Sequence, residues 1–185
     1  MNKNWINNSI ILLLVILAAF SRLIPHPNNF TAVGALAIFG AVSISNKRVS
    51  AIVPLIAMWL SDLFLNNIVY ASYNPSFAWF SEGFVWIYLG ILANSFSGWF
   101  LASNKKVSGI VGASALGAIL FFILSNFGVW IGSGMYAKTL DGLVLCYTAA
   151  LPFFGNTLSG NLFFSLVLFG SYYLLEKKIT VSQLA

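Results

Sequence analysis

Long apolar runs, separated by short polar links, fill nearly all of the 185-residue chain. Charged residues make up only 7% of it and hydrophobic residues 59%, whereas soluble domains carry roughly 25% charged residues. So few charges cannot cover a water-exposed surface, and lipid must therefore contact much of the folded chain. The runs also lack the alternation of polar and apolar residues that is typical of membrane-barrel strands. The sequence predicts an all-α integral membrane protein with one domain.

Six apolar segments reach or approach the length that crosses a bilayer, which is about 20 residues with a range of roughly 17–25. The second segment is short for a span. The sixth is long, and Pro152 and Gly155 offer a place where it could bend. The first is interpreted as a span and not as a signal peptide, because it continues into a proline-rich link without a small-x-small cleavage site. The predicted spans cover residues 8–24, 30–45, 49–70, 77–102, 107–131 and 142–175.

Basic residues are divided unequally between the two sides of this six-span arrangement. Only Arg22 and Lys138 lie on one side, and the positive-inside rule therefore places both termini, on the other side, in the cytoplasm. Because the basic residues stand mostly in pairs at segment ends, as topological anchors do, the net charge of +5 does not indicate nucleic-acid binding. The predicted cytoplasmic residues are Lys3, Lys47, Arg48, Lys105, Lys106, Lys177 and Lys178.

The link between the first two segments, PHPNNF at residues 25–30, contains the only histidine of the chain. Pro25 and Pro27 restrict their own backbone and that of the preceding residues, so we expect a stiff lid over a binding pocket. One of the two asparagines of the link is expected to cap the second helix. His26 is predicted to contact a ligand, although a role in helix capping or in a backbone hydrogen bond is the open alternative.

Polar groups of four segments are predicted to lie at one depth beneath this link. At a rise of about 1.5 Å per residue, Asp62 falls in the outer half of the third span. Glu82 and Asn126 fall near the outer ends of the fourth and fifth spans. An ionisable residue within a span is costly and usually faces a partner or a wet cavity. The alternative is an internal ion pair of Arg22 with Asp62 or Glu82 that only holds helices together.

Small residues predict where helices pack closely, and aromatic residues predict either a pocket wall or a membrane interface. Rows such as Ala37/Ala41 and Gly90/Gly98 predict close helix packing. The aromatic residues of the second outer link either form a pocket wall or belong to an interfacial aromatic belt. The predicted substrate-binding residues are His26, Asn29, Phe30, Asp62, Tyr70, Tyr73, Trp79, Glu82, Asn126 and Trp130.

Signatures of enzymes and metal sites are missing from the sequence. No Gly-rich nucleotide loop precedes a lysine, no serine elbow is present, and a single histidine cannot build a zinc site of the usual kinds. We therefore expect no catalytic activity, no bound metal and no cofactor. The chain also encodes no ATPase, so active transport would need a partner or an ion gradient.

The third segment contains AIVPLIAMWLSDL at residues 51–63, after a basic turn. This stretch resembles the substrate-binding membrane subunits (S components) of energy-coupling-factor vitamin importers, whose third helix often ends in a Ser-Asp-Leu-like sequence. The PHPNNF link is similar to that of small bacterial membrane proteins that include solitary cobalamin transporters. In those proteins a histidine of the first outer link and an aspartate of the third span approach the corrinoid. His26 and Asp62 occupy the matching positions.

Two departures from this resemblance concern the ligand and the coupling. The cobalt-ligating cysteine of the second outer link has no counterpart between Tyr70 and Trp79, so cobalamin is a candidate only. Many S components dock a coupling subunit through Ala-x-x-x-Ala in the first helix, where this chain offers only adjacent alanines at 18–19. Docking would then use Ala37 and Ala41 of the second span, or the protein works alone.

The resemblance implies a transport protein of the S-component type that binds a vitamin or related micronutrient in the bacterial cytoplasmic (inner) membrane. Its partners would be the solute, the lipid bilayer and, unless it is solitary, an energy-coupling module of a transmembrane subunit and ATPases. The alternative is a membrane scaffold or assembly factor that has the same fold and transports nothing.

Cysteine labelling tests the predicted topology. With Cys146 replaced by serine, cysteines introduced at Lys47 and Lys105 should react with a membrane-impermeant maleimide only after permeabilisation, because both positions are predicted to be cytoplasmic. Cysteines at Asn28 and Ser133 serve as controls and should react in intact cells. Labelling of Lys105→Cys in intact cells would contradict the topology.

Overall fold

The computed structural model describes residues 3–73 and 76–182, with side chains described for 9–73 and 76–177. Within these ranges the chain is helical and contains no strand. A π-helical turn, Leu65–Val69, extends the third helix, and 3-10 turns occur at Ser21–Leu23 and Ala71–Tyr73. The helices are α1 (Lys3–Phe20), α2 (Val33–Ser43), α3 (Lys47–Phe64), α4 (Phe84–Leu101), α5 (Val107–Gly132) and α6 (Leu140–Ser182).

Four of these helices are long and apolar enough to cross a membrane. They comprise α3 with its π-helical extension, α4, α5 and the part of α6 that ends at Lys177. The described part of α1 with its 3-10 turn, Ser9–Leu23, and α2 are shorter apolar helices. The prediction of an all-α, membrane-embedded protein is therefore confirmed, while the number of spans and their orientation stay predictions.

Helix α2 lies at the centre of the bundle and contacts each of the other five α-helices. Its side chains from Leu36 to Phe39 are almost completely buried. A helix that is apolar on every side is stable only when neighbours surround it. This burial also removes Ala37 from the surface that a docking partner could reach, and Ala41 packs against Gly98. Docking through these two alanines stays a prediction, and the burial of Ala37 counts against it.

Two helices differ from the predicted segments at their ends. Helix α4 begins at Phe84 and not near Phe77, because Gly83 before it adopts a left-handed backbone conformation (φ 68°) and residues 77–83 form no helix. Helix α6 continues through Pro152 as one helix of 43 residues. At about 1.5 Å per residue, it is much longer than the roughly 30 Å hydrocarbon core of a bilayer.

Asparagine capping of the second helix, expected from the sequence, is wrong. The N-cap of α2 is Ala32, whose side chain offers no hydrogen bond. Asn29 instead adopts a positive φ of 64° in the turn before the helix, a conformation that asparagine tolerates better than most residues. The turn is closed by the backbone N–H of Phe30, which donates to the carbonyl of Pro27 at 3.0 Å.

Glycines allow the close helix packing that the small-residue rows predict. A Cβ atom at Gly98 would lie 2.9 Å from the Cβ of Ala41 and 3.0 Å from the carbonyl oxygen of Ile38. A Cβ atom at Gly90 would lie 2.6 Å from the ring of Phe121 on α5. These contacts bring α4 next to the central helix and α5, and they confirm the predicted packing role.

Gly98→Ala tests the contact between α2 and α4. The added methyl group meets backbone atoms, so we expect the free energy of unfolding to fall by about 1–3 kcal/mol, as overpacking typically does. Thermal unfolding of the purified protein in detergent measures this change. Gly170→Ala is the matched control, because a Cβ there meets nothing within 4 Å and alanine favours the helix by roughly 0.5–1 kcal/mol. Equal stability of the two variants would contradict the proposed close contact.

Candidate functional site

Arg22 and Asp62 form an ion pair between the end of α1 and the end of α3. Arg22 lies in the 3-10 turn that follows α1, and its Nη1 atom is 2.7 Å from Oδ1 of Asp62. The same Nη1 also donates to the hydroxyl of Ser61 and to the carbonyl of Met58. The second carboxylate oxygen of Asp62 accepts a hydrogen bond from Ser81 at 3.1 Å. Of the two partners that the sequence left open for Arg22, the structure selects Asp62.

A cavity of about 200 Å³ adjoins this ion pair, beneath the first link. Its polar lining includes the Arg22 guanidinium, and its walls are mainly apolar side chains of α2, α3, α4 and α5. Ligand pockets usually measure about 300–1,000 Å³, so this cavity suits a small molecule. Its lining residues are Arg22, Asn29, Thr31, Val33, Gly34, Met58, Ile87, Ile91, Phe121, Thr157 and Asn161.

Among the ten residues predicted to bind substrate, Asn29 is the one that lines this cavity. His26 is exposed, and its Nδ1 atom lies 2.9 Å from the carbonyl oxygen of Pro27. Phe30 packs against the rings of Phe163 and Phe164 on α6. The His26 contact is the backbone hydrogen bond that the sequence left open as the alternative to ligand binding. Phe30 anchors the link to α6.

The first link is fixed along α6 by several contacts. The side-chain amide of Asn156 donates to the carbonyl of Asn28 at 2.9 Å. Gly160 allows the backbone of Thr31 to come close, because a Cβ there would lie 3.2 Å from the Thr31 nitrogen. These contacts attach the end of the link to α6, with Asn29 and Thr31 in the lining of the cavity, while the stiffness expected from the two prolines stays a prediction.

The link between α3 and α4 carries Tyr70, Tyr73 and Trp79, which are 49%, 83% and 61% exposed and do not line the cavity. Trp79 contacts the ring of Phe77, and its carbonyl accepts a hydrogen bond from Trp59. Exposed aromatic residues at the end of a membrane helix are typical of an interfacial belt. The structure therefore favours the belt over the pocket wall for these three residues.

Glu82 and Asn126 do not join Asp62. Glu82 is exposed and lies in the turn before α4, because the left-handed Gly83 ends the link there. Asn126 donates its side-chain amide to the carbonyl of Phe122 in its own helix, at 2.8 Å. The predicted convergence of polar residues from four segments is therefore wrong for the fourth and fifth segments. Only Arg22 and Asp62, from the first and third segments, meet as predicted for a pair.

Trp130 lies in the last turn of α5 and does not line the cavity. Its indole N–H donates to the carbonyl of Ala137 at 2.9 Å. The ammonium of Lys138 donates to the carbonyls of Trp130 and Ser133, where a cation also compensates the negative end of the α5 dipole. Both residues therefore stabilise the end of α5.

The π-helical turn after α3 carries two asparagines that the sequence reasoning did not select. The amide of Asn67 donates to the carbonyl of Ala78 and accepts from the Ala78 N–H, at 2.9 and 2.8 Å. Asn66 donates to the hydroxyl of Ser81 at 3.0 Å, and Ser81 in turn holds Asp62. Adjacent asparagines directly after an apolar span were the available signal for this anchor.

A second polar cluster lies deeper, where α4, α5 and α6 meet. The Nδ2 atom of Asn161 donates to Oδ1 of Asn94 at 2.9 Å and to the carbonyl of Ser114 at 3.2 Å. Both amides are almost fully buried, and Gly34 and Gly117 leave room for their oxygens. Because Asn161 also lines the cavity, this cluster supplies the polar part of its wall. An amide in the middle of an apolar segment was a usable signal that the sequence analysis did not use.

The cavity offers hydrogen-bond donors but no metal site. The hydrogen bonds of Arg22 to described residues all come from Nη1, and the same residue lines the cavity. Within the described ranges, no group of three histidine, cysteine, aspartate or glutamate residues could hold a metal ion. The site can therefore orient a small solute that carries a hydrogen-bond acceptor and an apolar body.

The chain belongs to the family of unknown function DUF6580, whose sequence model matches residues 2–183. Comparison with curated proteins and with solved structures gives no match. The family match covers the complete bundle, including both partners of the ion pair and the cavity lining. The family description names no activity, so the function has to be argued from the site itself.

A double-mutant cycle tests the Arg22–Asp62 pair. Asp62→Leu leaves the guanidinium without its counter-ion and should lower the free energy of unfolding by about 3–5 kcal/mol, the usual cost of breaking a buried pair. Arg22→Leu combined with Asp62→Leu should recover part of this loss, because no isolated charge remains. Thermal unfolding in detergent measures all variants.

Glu82→Gln is the matched control for this cycle. It removes an acidic residue that is exposed and outside α4, so stability should change by less than about 0.5 kcal/mol. A loss for Glu82→Gln equal to that for Asp62→Leu would contradict the assignment of the ion pair.

Proposed function

We propose that the protein is a substrate-binding membrane transport protein that takes up a small, vitamin-like micronutrient. The observation that carries this proposal is the cavity beneath the first link, in which the Arg22 guanidinium and the buried amide of Asn161 lie among mainly apolar walls. Pockets of this composition orient a ligand through a few polar groups and bind its remainder by burial. The absence of motifs for covalent or metal-assisted chemistry in the sequence favours binding over catalysis.

The charges around the cavity restrict the class of solute. Asp62 already neutralises Arg22, so a second full negative charge in the cavity would leave the buried site with net charge. A neutral acceptor, such as a carbonyl, avoids that penalty and can use the remaining guanidinium donors. The proposed solute is therefore small and largely uncharged, with an acceptor at Arg22 and an apolar body against residues such as Ile87, Ile91 and Phe121.

Cobalamin fits this cavity poorly. A corrinoid is much larger than about 200 Å³, and neither His26 nor Asp62 lines the cavity. The second outer link offers no cysteine as a cobalt ligand. A corrinoid would require the first link to leave α6 and the cavity to widen, so a smaller micronutrient is the better candidate.

The proposal includes an S-component-like arrangement of six spans with both termini in the cytoplasm of a bacterial cell. Basic residues at one end of the bundle support it. The ammonium groups of Lys47 and Lys105 lie 5.8 Å from the ring centres of Trp99 and Tyr172, respectively. Cytoplasmic ends of inner-membrane proteins carry an excess of lysine and arginine, whereas aromatic residues are enriched at both interfaces. The link and cavity then face the outer side, from which a nutrient arrives.

We propose that transport does not depend on a coupling subunit that docks on α2, because Ala37 is buried inside the bundle. The solitary mode, driven by a solute or ion gradient, needs no such surface. An energy-coupling module of a transmembrane subunit and ATPases would have to use another face of the protein.

A scaffold or assembly factor is the second candidate function, and one observation favours it. Asp62 lies in a closed set of hydrogen bonds with Arg22 and Ser81 and does not line the cavity. Such a closed network is what a purely structural role of the charged residues requires. The two functions differ in their need for the cavity. A transport protein needs an open cavity for its solute, whereas a scaffold does not.

Filling the cavity distinguishes the two functions. Protein purified in mild detergent is extracted and analysed by mass spectrometry for small molecules that bind to it. We expect a solute with the wild-type protein and its loss in Ile87→Trp, because the larger side chain occupies the cavity. Val85→Trp is the matched control on the same helix, since Val85 is 51% exposed and lies outside the lining.

Arg22→Lys adds a test of the polar contact. Lysine keeps the positive charge for Asp62 but lacks the planar set of donors, so the protein should stay folded while solute retention falls by about tenfold, the effect of losing one hydrogen bond to a charged group. Absence of any co-purified solute from the wild type, or equal retention in Ile87→Trp and Val85→Trp, would reject solute binding and favour the scaffold.

A further inference from the structure

The part of the cavity wall that α6 forms differs in chemistry from the part that Arg22 forms. Thr157 and Asn161 both line the cavity and are 9% and 3% exposed. Because they lie one helical turn apart on α6, their side chains are neighbours on one face of the helix. The two side chains therefore form one polar surface, called here the α6 wall, within a mainly apolar lining.

Asn161 contributes an acceptor to this wall, because its amide nitrogen is already bonded. The Nδ2 atom donates to the carbonyl of Ser114 and to Oδ1 of Asn94. A backbone carbonyl can only accept, which identifies the atom that faces it as the nitrogen. The oxygen lies beside Gly34, where an added Cβ would clash with it, and Gly34 also lines the cavity. No donor among the described residues bonds to this oxygen, so its lone pairs are unused in the fold.

Thr157 contributes a second acceptor for the same reason. Its hydroxyl donates to the carbonyl of Phe153, one turn earlier on α6, at 3.1 Å. The hydroxyl hydrogen is therefore used within the helix, while the oxygen can still accept a hydrogen bond. Arg22 has the opposite character, because a guanidinium donates and cannot accept. The cavity thus presents donors from Arg22 and acceptors from the α6 wall.

The charge of the lining decides which kind of donor suits the α6 wall. Of the lining residues named above, Arg22 alone is charged, and its counter-ion Asp62 does not line the cavity. A cationic donor, such as an ammonium group, would share the cavity with this guanidinium and find no carboxylate there. Asn29 and Thr31 also line the cavity, but their side chains both donate and accept. The α6 wall therefore favours an uncharged N–H donor.

We propose that the cavity selects a small primary carboxamide, an inference that rests on the proposed solute-binding function. The carbonyl oxygen of the carboxamide accepts from Arg22, while its two N–H groups donate to Oδ1 of Asn161 and Oγ1 of Thr157. Its apolar body lies against Ile91 and Phe121. Two N–H groups match the two acceptors of the α6 wall. A ketone of the same shape would leave both buried acceptors unpaired, which is costly.

Three single-ring probes of nearly equal shape test this selection. Benzamide has the carbonyl and both N–H groups, acetophenone has a methyl group in place of the nitrogen, and benzamidinium carries a positive charge. Their dissociation constants for the purified full-length protein in detergent are measured by saturation-transfer-difference NMR. We expect benzamide to bind at least about tenfold more tightly than either other probe. Acetophenone leaves the acceptors unpaired, and benzamidinium brings a second cation next to Arg22.

Two threonines of α6 provide a matched pair of variants. The hydroxyl of Thr148 donates to the carbonyl of Val144, also one turn earlier, but Thr148 is exposed and does not line the cavity. Valine keeps the shape of threonine without the hydroxyl. Thr157→Val should lower the preference for benzamide over acetophenone by about threefold or more, the effect of losing one hydrogen bond. Thr148→Val should leave the preference unchanged. A purely structural defect would weaken the binding of both probes alike.

The outcomes separate this inference from the proposed function. Equal affinity of the wild type for benzamide and acetophenone would overturn the carboxamide selection and leave solute binding intact. The same conclusion would follow if benzamidinium bound as tightly as benzamide, or if Thr157→Val and Thr148→Val had equal effects. Ile87→Trp fills the cavity and shows how much of each probe only enters the detergent. Equal signals from the wild type and Ile87→Trp would reject solute binding in the cavity and this inference together.

Discussion

The ion pair between Arg22 and Asp62 is the interaction on which the end of the bundle beneath the first link depends. A single charge within a membrane protein is costly, and a partner removes most of that cost. Because Arg22 follows α1 and Asp62 lies near the end of α3, their pairing fixes the end of the first helix against the third. Ser81 extends the same network to the link between α3 and α4. The first link leaves this point and crosses to α6, which encloses the cavity.

A second constraint acts in the middle of the bundle, where water cannot satisfy polar groups. Asn94 and Asn161 hydrogen-bond each other across α4 and α6, and Asn161 also bonds the backbone of α5. In lipid, where apolar surfaces give little driving force for helix association, such polar contacts and close packing at small residues hold helices together. The central helix α2 contributes no polar side chain there, and Gly34 instead gives the Asn161 oxygen its space.

The sequence was sufficient to predict the helical segments, their order and their membrane character. Apolar runs determine these properties directly, and the internal pair of Arg22, which the sequence left open as an alternative, also needed only a charge and its possible partners. Helix ends were less predictable. The start of α4 depends on the left-handed conformation of Gly83 and on hydrogen bonds from Asn67 to Ala78, and neither follows from an apolar run.

The direction of each side chain around its helix was the part that could not be predicted. Depth along a span follows from residue count, but a helix that is apolar on all sides carries no signal for the face that meets the core. Asn126 was predicted at the correct end of α5, yet its amide bonds Phe122 of its own helix. Similarly, His26 belongs to the link over the cavity and still points its ring nitrogen to the adjacent backbone.

The rigidity of the polar network determines what the cavity can recognise. Arg22 is held through Nη1 by three acceptors before any ligand arrives, so its remaining donors keep a fixed direction. A ligand that meets donors already in place avoids the entropy cost of ordering them. A solute without a matching acceptor would instead leave buried donors unpaired, which is costly. The same ion pair that stabilises the fold therefore gives the cavity its selectivity, and a structural role and a binding role for Arg22 are compatible.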